Sequence, residues 1–97
     1  MITFSVTKNG NPEGAYSFQK EKIILGRQPD CDVVLADARV SRKHAVVERR
    51  KGVYTIADVY SANGTVVDNR VISACALRDG AEIVIEPFRI GVKIDGE

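Results

Sequence analysis

Along most of the chain, apolar and polar residues alternate with a period of two, the pattern of a strand with one buried face and not of an amphipathic helix. In "ITFSVTK", Ile2, Phe4 and Val6 alternate with Thr3, Ser5 and Thr7; in "FRIGVKI", Phe88, Ile90, Val92 and Ile94 alternate with Arg89, Gly91 and Lys93. Between them lie "AYSFQ", "KIILGR", "DVVL", "HAVVERR", "VYTIADV", "TVV", "RVI" and "AEIVI", each short and bounded by Gly, Pro, Asn or Asp. About ten short strands with regular turn signals predict an all-β sandwich. "NGNPEG" predicts a loop over residues 9–14, Lys51-Gly52 a tight hairpin, and Asp68-Asn69 a turn of positive φ. Pro87 falls between two strands, where a missing N–H costs little. Only Ala36 to Arg50 offers helical spacing, at Val40, His44 and Val47. That run is β-branched and its apolar stripe stops there, so loop followed by strand is the reading.

A chain of 97 residues makes one domain, spanning 1–97, too short for two lobes closing over a deep active site. Fourteen Lys plus Arg against thirteen Asp plus Glu give a net charge of +1. That balance excludes a protein whose whole surface steers toward polyanions, and any anion site must be local. Cys31 and Cys75 stand apart without a CxxC spacing, and a single histidine cannot complete a usual zinc site, so no metal is expected. Both cysteines read as reduced small hydrophobes of a cytoplasmic protein. No run approaches the length of a membrane span and no signal-peptide pattern opens the chain, so a soluble, unexported protein without membrane contact is expected. The pattern suits a whole protein and a module of a longer one equally.

Three polar clusters sit at the ends of predicted strands: Gly26-Arg27, Ser41-Arg42-Lys43-His44, and Ser61-Ala62-Asn63-Gly64-Thr65. Singly each is a turn or a solvated loop. Together, in this order and from "IILGR" through "VSRKHAVV", "DVYSANGT" and "LRDGAEIVI", they resemble the forkhead-associated (FHA) domain, a phosphothreonine-binding module. The resemblance implies an FHA/SMAD-like β-sandwich of about eleven strands, with ligand loops at one end, no catalysis and no cofactor. It also implies a partner: a Thr-phosphorylated protein or peptide, such as a Ser/Thr kinase or its substrate, bound by a monomer.

Carried over residue by residue, the resemblance puts Arg27 and Ser41 on the phosphate, Arg42 beside it, and Asn63 on the peptide main chain. Arg39 is expected near the side chain three residues after the phosphothreonine, and Thr65 at the ligand surface. Gly26, His44 and Gly64 are expected to support the loops. The chemistry agrees, because a phosphothreonine carries about −1.5 to −2 charge and three acceptor oxygens. An arginine fork, a hydroxyl and loop N–H groups suit such a ligand. Asn63 offers both a donor and an acceptor to a peptide backbone. Gly64 permits a tight reversal, and Gly26 close packing before Arg27. Many family members carry Ser or Thr immediately before the Asn, where this chain has Ala62.

Other readings stand beside this one. The basic residues Arg39, Arg42, Lys43, Arg49, Arg50 and Lys51 suggest a nucleic-acid surface. On a strand, however, neighbouring side chains point to opposite faces, and no aromatics interleave for base stacking, so no nucleic-acid partner is expected. Ser41 with His44 and Asp58 or Asp68 could form a catalytic set, but no GxSxG elbow is present and no enzyme is expected. A phosphate-independent scaffold on the same fold is the remaining alternative.

Overall fold

The one-faced patterns at the two ends of the chain become neighbouring strands in one sheet. The computed structural model describes residues 1–95, with eleven strands and no helix among them. The expected domain ends at 97, and its last two positions lie outside the described residues. The strands are β1 (Ile2–Lys8), β2 (Asn11–Phe18), β3 (Lys22–Gly26), β4 (Val33–Val34), β5 (Ala45–Arg50) and β6 (Val53–Asp58). They continue as β7 (Val66–Val67), β8 (Arg70–Val71), β9 (Ala74–Leu77), β10 (Glu82–Ile85) and β11 (Phe88–Ile94).

One sheet has the order β2-β1-β11-β10-β7-β8 and the other β4-β3-β5-β6-β9. β1 and β11 pair antiparallel from Ile2 opposite Ile94 to Lys8 opposite Phe88. Ile2, Phe4, Phe88 and Ile90 from the first sheet share one core with Ile23, Leu25, Val47 and Ile56 from the second. Each fully buried aliphatic or aromatic side chain of this kind stabilises by roughly 1.5–3 kcal/mol.

The turns behave as their residues predict at Lys51-Gly52 (φ 52° and 77°) and at Asp68-Asn69 (φ 49° and 70°). Residues 36–50 form a loop and then a strand, as the β-branched run requires. Two expectations change. Only Asn9-Gly10 makes the first turn, and Asn11 to Gly14 belong to β2 rather than to a loop. β2 is an edge strand whose first five residues are exposed, so polar side chains and Pro12 cost it little there, and a register shift beside Val6 absorbs the irregularity. The one strand beyond the ten read from the sequence is β9, "ACAL", which lacks β-branched residues and gains its conformation by pairing with β6.

Within the second sheet, the end of β3, the start of β5 and the end of β6 lie side by side, with Leu25 opposite Ala45 and Ala45 opposite Asp58. β4 runs parallel to β3, with Leu25 opposite Val33. The segments following Gly26, preceding Ala45 and following Asp58 therefore emerge at the same end of the sandwich. These are the three clusters singled out in the sequence.

Candidate functional site

Arg27 leaves β3 anchored at its backbone and at Nε. Its N–H donates to the Ser41 carbonyl at 3.1 Å, and its Nε donates to the Val40 carbonyl at 2.9 Å. The two Nη groups have no partner among the described residues, so the planar end of an exposed arginine stays available beside Ser41. Next to it, Gln28 N–H and the Cys31 thiol both donate to the Arg42 carbonyl, at 3.2 and 3.3 Å. Burial, the largest influence, pushes the Cys31 thiol up from its ordinary range. Gly26 makes this approach possible, since a Cβ at that position would lie 2.3 Å from the Arg42 oxygen. The carbonyl of Arg42 thus faces the fold, while its side chain is exposed and without an acidic partner among the described residues.

His44 ties the loops together from inside. It is buried, with Nδ1 accepting the Ser41 N–H at 3.1 Å and Nε2 at 2.8 Å from the Gly64 carbonyl. A backbone N–H can only donate and a carbonyl can only accept, so the ring is neutral with its proton on Nε2. Its backbone adds two bonds, from His44 N–H to the Leu25 carbonyl and from Val59 N–H to the His44 carbonyl.

The third loop is organised by Asp58. Its carboxylate accepts the Ser61 N–H at 2.8 Å, the Ser61 hydroxyl at 2.5 Å and the Thr65 hydroxyl at 2.6 Å. Burial, the largest influence, pushes Asp58 upward, but these hydrogen bonds outweigh it and hold its pKa below the ordinary carboxylate range. The Ser61 oxygen in turn accepts Gly64 N–H at 3.0 Å, and Gly64 reverses the chain at φ 91°. Across the gap, Ala62 N–H donates to the Ser41 hydroxyl oxygen at 3.0 Å and Asn63 Nδ2 donates to the Arg39 carbonyl at 2.7 Å. The Ser41 hydroxyl proton and the Asn63 side-chain carbonyl are engaged by no other described residue.

The structure brings Arg27, Ser41, Arg42 and Asn63 to one surface, with Gly26, His44 and Gly64 beneath or between them. Thr65 departs from its expected place: it is wholly buried and bonded to Asp58, so it supports the loop instead of lining the ligand surface. Arg39 is exposed, but its guanidinium is held by both oxygens of Asp37, at 3.0 and 3.3 Å. Arg39, the largest influence on Asp37, holds that carboxyl well below the usual range, and Lys8 adds a contact at 3.4 Å. Ser61 was named in the sequence only as part of a cluster, with no role of its own, and Asp37 was not singled out. The Asp58-x-x-Ser61 spacing was the available signal for the first, whereas Asp37 beside Arg39 looks like any pair of exposed charges.

The catalytic reading fails on geometry. Both ring nitrogens of His44 are committed to backbone groups, and Asp58 faces Ser61 and Thr65, so neither is placed to act as a base on the Ser41 hydroxyl. Asp68 is bonded to Glu82 N–H at 2.9 Å. The basic run also disperses. Arg39 is paired with Asp37, Arg49 lies over the Tyr54 ring at 6.0 Å, and Lys51 turns beyond the far end of β5, a strand about 17 Å long from Ala45 to Arg50. Among the described residues, no group of three or more His, Cys, Asp or Glu side chains could hold a metal ion, and no helix is long and apolar enough to cross a membrane.

A two-sheet sandwich that gathers Gly-Arg, Ser-x-x-His and Asn-Gly at one end defines the class, and known proteins agree with it. The model of the FHA domain family matches residues 23–86, and the chain belongs to that family. It is 38% identical over 86 residues to the oxoglutarate dehydrogenase inhibitor of Corynebacterium jeikeium, a match covering 88% of this chain and 60% of that protein. The chain spans between about half and two thirds of the length of the curated relatives it matches. A solved FHA domain from work on phosphothreonine-dependent interactions superposes with a TM-score of 0.88 at 28% identity, covering 99% of this chain and 98% of that one. EmbR of Mycobacterium tuberculosis, solved in complex with a low-affinity phosphopeptide, superposes with a TM-score of 0.83 at 32% identity, covering 98% of this chain and 25% of that one.

Proposed function

We propose that the chain is a phosphothreonine-dependent protein-binding module without catalytic activity of its own. Its ligand is a Thr-phosphorylated segment of a cytoplasmic protein, such as a Ser/Thr kinase or a kinase substrate, and it binds as a monomer. The free Nη groups of Arg27 beside the Ser41 hydroxyl carry the reading. Arg27 grips the phosphate through two parallel N–H bonds, Ser41 donates its hydroxyl, and Arg42 adds charge from the exposed side. Asn63 pairs with the peptide main chain, which anchors an extended ligand whatever its sequence. Arg39 serves mainly through the carbonyl that orients Asn63.

Magnitudes point to a switchable binder. Three or four charge-assisted hydrogen bonds at roughly 1.5–3 kcal/mol each, less ordering costs, come to about 8 kcal/mol, a micromolar complex. Without phosphate most of that is lost. Calorimetric titration with matched phosphothreonine, phosphoserine and unmodified peptides tests the proposal. The phosphothreonine form is expected to bind at least about thirtyfold more tightly than the unmodified one, and Arg27→Ala to remove the difference. The family resemblance further implies weaker binding of phosphoserine. Equal binding of phosphorylated and plain peptides would overturn the proposal.

A further inference from the structure

The segment 59–65 has two sides. One carries Ala62 and Asn63 against Ser41 and Arg39. The other borders an open groove of about 480 Å³ lined by Tyr60, Val71 and Ile72 with Ser61, Gly64 and Ser73. Tyr60 is fully exposed and Val71 is 80% exposed, more than any other large apolar side chain among the described residues. A single exposed apolar residue needs no explanation, but two bordering one concavity mark a contact surface. Tyr60 also holds a left-handed φ of 49°, a conformation that strains an aromatic residue, between the Asp58 and Ser61 groups that hydrogen-bond each other.

We infer that this groove takes an apolar side chain, of the size of Leu, Ile, Met or Phe, from the same phosphorylated segment that the proposed site binds. The inference rests on the phosphothreonine reading and adds to it the source of sequence selectivity. Continuity identifies the occupant, because Ser61 and Gly64 line the groove while Ala62 and Asn63, between them, face the proposed phosphate surface. An extended peptide advances about 3.3 Å per residue, so roughly three to five residues carry it across the loop. A second copy of the chain is a poorer occupant, since two exposed side chains and a shallow groove fall far short of the roughly 800 Å² per partner that stable association buries. Asp58, the charged group at the groove, has its carboxylate engaged by Ser61 and Thr65, which leaves the walls suited to an uncharged guest.

The test is fluorescence polarisation with phosphothreonine peptides whose other positions are Ala, with one Leu moved through the five residues on either side of the mark. In the wild type, Leu at one position is expected to bind about five- to tenfold more tightly than Ala, the order of effect of half-burying an aliphatic side chain. Val71→Ser, at an exposed position, and Tyr60→Gly, which suits the positive φ, are each expected to reduce that preference below about twofold. Binding of the all-Ala phosphopeptide should not change in either variant. A wild type indifferent to Leu everywhere, or a preference surviving both substitutions, would overturn the inference. So would a concentration-dependent dimer that both variants dissolve, which would assign the groove to a second copy. Arg27→Ala separates the two proposals: loss of all binding leaves the phosphate reading intact, whereas undiminished binding overturns that reading itself.

Discussion

Gly26→Ala tests the architecture of the site at its tightest point. The added Cβ would stand 2.3 Å from the Arg42 oxygen, 3.0 Å from the Arg42 carbonyl carbon and 3.0 Å from the Cys31 sulfur. The first distance is about 1 Å short of ordinary contact, and the obstacle is backbone, which cannot rotate away. Relief requires the 41–44 segment to move off β3, stretching the bonds from Arg27 and Gln28 N–H to the Ser41 and Arg42 carbonyls. Overpacking costs about 1–3 kcal/mol and one weakened hydrogen bond about 1 kcal/mol more. Restricting the unfolded chain returns about 0.4–1 kcal/mol, leaving a net loss of about 1.5–3 kcal/mol. Urea denaturation measures it, and the same variant should bind a phosphothreonine peptide about tenfold more weakly because Ser41 shifts relative to Arg27. Gly91→Ala is the control, since nothing lies within 4 Å of its Cβ and its φ is not left-handed, so its effect should stay within about 0.5 kcal/mol. A Gly26→Ala protein as stable as that control, with unchanged affinity, would refute the steric argument.

Three further outcomes follow from the hydrogen bonds around the site. Asp58 has a folded pKa below its unfolded value, so its contribution is complete above about pH 4 and is lost as pH falls through the folded pKa. The unfolding temperature of the wild type should therefore drop more steeply below pH 4 than that of Asp58→Asn, and parallel curves would refute the assignment. Asp37→Asn frees the Arg39 guanidinium and should tighten binding of peptides with Asp three residues after the phosphothreonine by about two- to fivefold; unaltered library selectivity would show that Arg39 does not reach that side chain. Ala62→Thr adds a hydroxyl on the exposed side of the loop and should strengthen phosphopeptide binding about two- to tenfold in a calorimetric titration, where no gain would place the hydroxyl away from the ligand.

Ten of the eleven strands were legible because each presents alternating or β-branched residues between turn formers, and a buried face cannot hide that pattern. β9 was not, because Ala74 to Leu77 hold their place through β6 and not through local preference. Pro12 and Gly14 looked like loop because composition does not reveal that a strand lies at an edge, where an unpaired N–H meets water. At the site, Arg27, Ser41, His44 and Asn63 stood out as chemistry-bearing types at strand ends. The burial of Thr65 and the capture of Arg39 by Asp37 were invisible, since both depend on which neighbour a side chain meets.

The sequence by itself determined a β-sandwich with three polar clusters at strand ends, because period-two burial and turn chemistry are local properties of the chain. Tertiary structure decided which clusters meet, through pairings such as Ala45 with Leu25 and Asp58 that join distant segments. It also decided the state of His44, whose two ring nitrogens face a donor from one loop and an acceptor from another. Hydrogen-bond partners and close approaches between segments are set by three-dimensional proximity, and no local pattern encodes that proximity.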